Sequence, residues 1–358
     1  MDIAKKSRQL FQTINADAVL LRTSESLPDS SVSYFTGIGK PFLEGNLLLM
    51  KRDHAPLLIK SVLEPDFSAK GLRTKRINKK KQLKSLIKKE FKGVKALGIN
   101  KPFYPSASLQ NMRRMLGKKK IVDVSQKIAS MRAIKSGEEI NLLAKACRIS
   151  ENAVSQVPQL FKKGMTEKRL GLEIELLLRE KGDNILPYPI VVASGSNAAF
   201  PHHVPLEKKI GKGLLLLDFG AYCKNYASDL TRMFCIGKPS LKQQQLYSAI
   251  LEAKALGCSL SKEGASFGKV FDSVDDFLKK RTHQRLIHGL GHGLGIDAHD
   301  FPSGFLQGNK EKLQKNMVLT MEPGFYSKPA SVRIEDDFVV TKKGFKLLSK
   351  APEELPVL

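Results

Sequence analysis

Tryptophan is absent from this chain, and cysteine occurs four times, at Cys147, Cys223, Cys235 and Cys258, with no CxxC spacing. So few thiols cannot staple 358 residues, and reduced cysteines in a cytoplasmic protein are the plain expectation. No run approaches the ~20 consecutive apolar residues that a membrane-spanning helix needs, and the start, MDIAKKSRQLFQTINADAVLLR, lacks an apolar stretch of signal-peptide length. No membrane is expected. Tandem repeats at a 20–50-residue period and low-complexity linkers are missing as well. Acidic residues are scarce beside basic ones: 35 against 60, a formal net charge of +25. Such an excess points first to a polyanionic partner.

The position of that charge weakens the hint. Residues 1–130 carry 27 basic and 10 acidic side chains, whereas residues 131–358 carry 33 and 25. Lys70–Lys95 alone holds twelve Lys/Arg and a single acid, Glu90. Ile77, Leu83, Leu86, Ile87 and Phe91 recur there at spacings near 3 and 4, which predicts an amphipathic helix with lysines outward. Nucleic-acid contact through this segment is an alternative to a plain solvated face, and the less favoured one.

The length suits two domains. Apolar runs such as AVLLR, GNLLLMKRDHAPLLIK (a hairpin through Arg-Asp-His-Ala-Pro), ALGIN and IVDVS alternate with helical stretches in the first third, and PSASLQNMRRML reads as a helix with a serine cap. These sum to an α/β layer structure. A capping box at Ser136 and Glu139 opens a helical region that lasts to about Lys181. Strand-like runs (IVVASG, LLLLDFG), a helical pair over roughly 241–281 and a Gly- and β-rich end follow. The division is placed at 1–127 and 128–358.

The chemistry concentrates in the second part. In LLLLDFGAYCKNYASDLTRMF, Asp218 and Asp229 are symmetric about the Cys223/Lys224 bond, so a hairpin centred there would oppose them, with Cβ atoms about 4.5–5.5 Å apart. In VLTMEPGFYSKPASVRIEDDFVV, Glu322 and Glu335 are symmetric about Lys328/Pro329. Between these lies RLIHGLGHGLGIDAHDFP, with His288, His292 and His299 in a run of glycines that permits close backbone approach. Two facing carboxylate pairs need neutralising, and with imidazole beside them they suit two divalent cations that activate a water for attack on a carbonyl.

Together these motifs resemble the creatinase/prolidase/methionine-aminopeptidase superfamily of pita-bread metallopeptidases (M24), and within it the Xaa-Pro dipeptidase and aminopeptidase P branch. The likeness covers nearly the whole chain. SYFTGIG resembles the Tyr-Leu-Thr-Gly strand motif of the N-terminal domain, MRAIKSGEEI the junction, and DFGAYCKNYASDLTRMF, HGLGHGLGIDAHDFP, MEPGFY and VRIEDD the catalytic motifs in order. The resemblance implies a creatinase-like α/β N-terminal domain ahead of a pita-bread catalytic domain of two pseudo-symmetric halves, assembled as a homodimer. It implies that Asp218 binds one metal, Asp229 and Glu335 bridge both, and His292 and Glu322 bind the other. Glu322 would also shuttle protons. His299, and His202 from GSNAAFPHHVP, would contact substrate. His288, Tyr326 and Arg333 would belong to the substrate side, with Thr231 and Arg333 behind the ligands. His203 has no role by this comparison and is expected on the loop surface.

The implied activity is metal-dependent hydrolysis of the peptide bond before proline at a peptide N-terminus, as an Xaa-Pro dipeptidase first and an aminopeptidase P on longer peptides second. Two divalent ions per subunit, Mn or Co before Zn or Fe, are expected. A non-catalytic pita-bread binding protein with a basic nucleic-acid-contacting surface is the third reading, and the filled ligand positions argue against it.

Overall fold

The computed structural model describes residues 2–40, 45–117, 119–328 and 330–358. They divide into two units, Met1–Arg132 and Ala133–Leu358. The sequence reading divides the chain at 127/128, inside the helix that ends the first unit.

The first unit runs α1 (Ile3–Thr13), β1 (Ala18–Thr23), α2 (Ser31–Thr36), β2 (Asn46–Lys51), β3 (Leu57–Ser61), β4 (Arg73–Ile77), α3 (Lys80–Glu90), β5 (Ala96–Ile99), α4 (Ser106–Leu116), β6 (Lys120–Asp123) and α5 (Ser125–Ala133). The six strands form one sheet in the order β4-β3-β2-β1-β5-β6. The expected hairpin is β2–β3, and β4, β5 and β6 join in parallel. Leu20, Leu49, Ile59 and Leu97 pack with Ile87 and Phe91 of the α3 region and Met112 of α4. That is the α/β layer anticipated from the alternating runs.

Three segments differ from the local structure that their sequences predict. SYFTGIG is no strand: Ser31–Thr36 is a buried helical segment. Its Val, Tyr, Phe and Thr favour strands, but Asp29 accepts a hydrogen bond from the Ser31 N–H at 2.9 Å and Gly37, at φ 75°, closes the segment. Local capping outweighs propensity. The basic segment is also not one helix. Its first part, Arg73–Ile77, is an edge strand, exposed from Arg73 to Arg76, and α3 starts only at Lys80. Strand pairing along Leu57–Ser61 takes residues whose side chains give no apolar stripe of their own. Finally, α4 has Pro105 at its cap with no side-chain cap bond, so Ser106 does not perform that role. Proline just ahead of the first turn supplies preset backbone geometry instead.

The second unit contains α6 (Gly137–Leu160), α7 (Glu167–Lys181), β7 (Val191–Ser194), β8 (Gly213–Phe219), β9 (Tyr222–Cys223), β10 (Tyr226–Ala227), β11 (Leu230–Ile236), α8 (Leu241–Leu260), α9 (Phe267–Thr282), β12 (Val318–Met321), β13 (Gly324–Phe325), β14 (Val332–Arg333), β15 (Asp336–Val340) and β16 (Phe345–Leu347). The capping box of Ser136 and Glu139 is formed as expected, and Ser240 with Gln243 makes a second one at α8.

β8 explains its own continuous leucines. Leu215, Leu217 and Phe219 pack with Val154, Leu170 and Ile174 of α6 and α7, whereas Leu214 and Leu216 pack with Ile250 and Val270 of α8 and α9. A strand buried on both faces reads as an unbroken apolar run. By the two-residue period, Asp218 shares the side of Leu214 and Leu216.

The unit repeats itself. Around the start of α7, Glu167 N–H donates to Lys208 O, Lys168 N–H to Leu206 O and Ile210 N–H to Met165 O. Around the start of α9, Phe267 N–H donates to Glu311 O, Gly268 N–H to Asn309 O and Leu313 N–H to Ala265 O. The two ladders match bond for bond, and each helix pair is followed by a hairpin.

Candidate active site

The acidic residues come from the two hairpins. In the second, Met321 pairs with Asp336 and Gly324 with Arg333, so Glu322 stands opposite Glu335 as expected; Pro329 of its turn lies outside the described residues. The first hairpin has a different register from the one expected. Asp218 pairs with Thr231, and Cys223 with Tyr226. The turn is centred on Lys224–Asn225, both left-handed with φ of 50° and 70°, one residue further along than the Cys223/Lys224 bond suggested. That offset moves the pairing by two residues. Asp229 therefore lies diagonal to Asp218, still on its face, because an even shift keeps side chains on the same side.

The carboxylates converge regardless. Ligand-type atoms of Asp218, Asp229 and Glu335 lie within 4.8 Å of one another, as do those of His292, Glu322 and Glu335, and those of Asp229, His292 and His299. Burial, with Asp218 and Asp337 next, pushes the Asp229 carboxyl well above its usual range. Burial and then Asp229 and Asp218 do the same to Glu335, and burial and then Glu335 do so to Glu322. Four acids and one guanidinium, Arg333, line the same cavity. Bare, this set would capture protons.

Second contacts fix the acids in place. Tyr188, unnoticed in the sequence, donates from its buried hydroxyl toward Asp218 Oδ1 at 3.0 Å and lies against Asp229 Oδ1 as well. Thr231 Oγ1 donates to Glu335 Oε2 at 2.9 Å and accepts from Arg333 Nε at 3.2 Å. Arg333 Nη2 is paired with Asp218 Oδ2. Asp337 Oδ2 accepts the Asp229 N–H at 3.0 Å and the Cys147 thiol at 3.2 Å, which holds the Asp229 backbone from behind.

The glycine run seats the histidines. A Cβ at Gly291 would fall 2.1 Å from Thr320 O, so only glycine lets His292 come so close to β12. His292 Nδ1 faces Gly293 O at 3.1 Å, and since a carbonyl only accepts, that nitrogen carries the proton. Nε2 is then a lone pair, 3.6 Å from Asp229 Oδ2 and 3.7 Å from Glu322 Oε1. Burial and the neighbouring His299 hold this imidazole down at about 3, so it stays neutral near pH 7. A lone pair aimed at two carboxylate oxygens is repulsive unless a cation lies between them. Neutral imidazole with several carboxylates is a divalent-metal donor set, and the residues fit one.

The substrate side is also organised. His288 Nδ1 donates to Gly289 O at 2.7 Å, so Nε2 accepts from the Tyr326 hydroxyl at 2.8 Å, which in turn receives Arg333 Nη1 at 2.9 Å. Burial lowers His288 to about 4. His299 stacks on His292 with ring centroids 3.8 Å apart. His202 is exposed at the mouth, and Pro201 O accepts from Arg333. The cavity is about 500 Å³, with Ile190, Val191, Val204 and Leu306 giving it an apolar flank. His203 overturns its expectation: its side chain is 10% exposed, with Nε2 2.9 Å from Glu167 Oε2. Adjacency to His202 hid it: the two flank the end of a turn in which His203 N–H donates to Phe200 O at 3.1 Å, and only His202 is left at the exposed tip.

Residues 141–342 match the model of metallopeptidase family M24, and residues 4–134 that of the creatinase/prolidase N-terminal domain. An Xaa-Pro dipeptidase of Pyrococcus horikoshii is 31% identical over 355 residues, covering 98% of this chain and 97% of that protein. A solved Xaa-Pro dipeptidase from Bacillus anthracis superposes with a TM-score of 0.89 at 28% identity over the whole of both chains. An X-Pro aminopeptidase from Thermotoga maritima does so with a TM-score of 0.87 at 27% identity, over 98% of this chain and 99% of that one. With two family models covering both units and relatives matched from end to end, this chain belongs to metallopeptidase family M24, as an enzyme with a creatinase-like N-terminal domain and a pita-bread catalytic domain.

Proposed function

We propose that the protein cleaves the bond before proline at a peptide N-terminus, acting first as an Xaa-Pro dipeptidase. The observation that carries the chemistry is the His292 Nε2 lone pair turned toward Asp229 and Glu322 among four carboxylates. The names of the matched relatives, Xaa-Pro dipeptidase and X-Pro aminopeptidase, support the substrate. Asp218, Asp229, His292, Glu322 and Glu335 would hold two divalent cations, Mn or Co. Bound there, such ions supply Lewis-acid polarisation of the scissile carbonyl and activation of water.

The chain's own groups do the rest in this reading. Glu322 takes a proton from the attacking water and passes it to the proline nitrogen, which as a tertiary amide has no hydrogen of its own. His299 and His202 donate toward the carbonyl oxygen as it gains charge. Arg333, through Tyr326, keeps the His288 Nε2 lone pair occupied, and the apolar flank receives the pyrrolidine ring. The buried free thiols support a reducing, cytoplasmic setting.

Aminopeptidase P activity is the second reading, favoured by the likeness to the Thermotoga enzyme. Purified protein supplied with Mn²⁺ or Co²⁺ is expected to hydrolyse Ala-Pro faster than Ala-Pro-Ala. The reverse order selects the aminopeptidase, and failure to cleave either peptide removes both.

A further inference from the structure

Glu167 begins α7 and is fully buried, yet among the described residues no lysine or arginine lies within ion-pair distance of it. Every side-chain bond it makes goes to the segment that carries His202. Oε1 accepts from the Ser194 N–H at 2.8 Å and the Ser194 hydroxyl at 2.9 Å. Asn197 Nδ2 donates to both oxygens, at 3.1 and 3.0 Å. Oε2 accepts from His203 Nε2 at 2.9 Å and from the Leu206 N–H at 3.4 Å. One carboxylate thus gathers both ends of residues 194–206. His202 lies between those ends with a free side chain, near enough to His288 and His299 to depress their basicity after burial has done most of the work.

The fold does not demand an acid here. In the other half of the unit the equivalent ladder is built around Phe267, also fully buried, which packs edge-on against Phe305 with centroids 5.0 Å apart. An apolar residue therefore serves the same backbone bonds. A buried charge costs free energy unless it is satisfied by hydrogen bonds, so the half that has one has a use for it. Phe200 O accepts the His203 N–H at 3.1 Å, which makes Pro201 and His202 the tip of a turn. His203, at the end of that turn, is held against α7, while His202 at its tip is left exposed.

We propose that Glu167 and His203 are positioning residues that select His202 as the imidazole presented to substrate. The inference rests on the Xaa-Pro reading above. It extends that reading by giving the neighbouring histidine a role and a partner.

The test is a double-mutant cycle on the Mn²⁺-loaded enzyme with Ala-Pro. His203→Leu is expected to lower kcat/KM by roughly ten- to a hundredfold, the range for a displaced contact group. His203→Gln, whose amide still donates, should recover most of that loss. On a His202→Ala background, His203→Leu should cost nothing further, because the latch acts through His202. Additive losses, failure of Gln to recover activity, or a His203→Leu effect under twofold would each overturn the proposal. Should His203→Leu not fold, Asn197→Ala, which removes the donor shared by both oxygens, takes its place in the cycle. If wild type leaves Ala-Pro uncut, the functional reading fails by itself. Amide hydrogen exchange over 198–206 then reads the latch without substrate, faster in the variant if the proposal holds and unchanged if it does not.

Discussion

Tyr188 shows how a single hydroxyl can matter more than its sequence context suggests. It sits in Leu-Pro-Tyr-Pro, thirty residues before Asp218, with no spacing that ties it to either aspartate. Only the folded chain puts its OH against both carboxylates. Tyr188→Phe should weaken Mn²⁺ binding by roughly ten- to a hundredfold, as for other groups that orient metal ligands. Titration calorimetry showing unchanged affinity would separate Tyr188 from the site. Glu167 was equally illegible, since an acid in the first turn is ordinary helix chemistry and nothing near it announces burial. Burial alone would raise its pKa, but the bonds from His203, Ser194 and Asn197 lower it below 4.5. A depressed folded value means stability that is present above the unfolded pKa and lost as pH falls through the folded one. Glu167→Gln should therefore lower the urea midpoint at pH 7, and the gap to wild type should narrow below about pH 4.5. A gap that stays constant with pH would exclude an ionised Glu167.

The same symmetry predicts both hairpins, and the second follows it while the first does not. Glu322 and Glu335 obey it because their turn is symmetric in length about the midpoint. Asp218 and Asp229 do not, because the chain reverses at Lys224–Asn225. Asn tolerates the left-handed region, but a lysine there gives no advance notice. The Lys224 and Asn225 N–H groups are bonded to the two oxygens of Asp183, which holds the turn from another element and is invisible to a local reading. The same face survived the error, so the ligand cluster was legible while the pairing was not. Lys224→Gly should stabilise the protein by about 1 kcal/mol by removing the Cβ penalty, or a rise of about 2–4 °C in Tm for a unit of this size. Lys224→Val should lower Tm. A Tm indifferent to both would mean that the turn carries no strain.

At the scale of the whole molecule, the alternating apolar runs and the capping box made the two-part architecture legible. The internal repeat was not visible as a sequence period, since its halves share backbone bonds and few side chains, Glu167 against Phe267 being the clearest contrast. Charge was the opposite case: conspicuous in the sequence and misplaced in its structure. The segment Lys70–Lys95 spreads over β4 and α3, and β4 ends the six-stranded sheet with Arg73, Lys75 and Arg76 exposed. An end strand offers unpaired N–H and C=O groups to any other strand that drifts past. Two copies meeting edge to edge at β4 would bring like charges together at strand spacing, and that repulsion fades as salt screens it. Changing Arg73, Lys75 and Arg76 together to Thr should leave the catalytic unit folded but produce light scattering at low salt where wild type stays clear. A clear solution would sink the idea. On this view the basic edge is a safeguard against strand addition at β4, and part of the protein's basicity guards one end of one sheet.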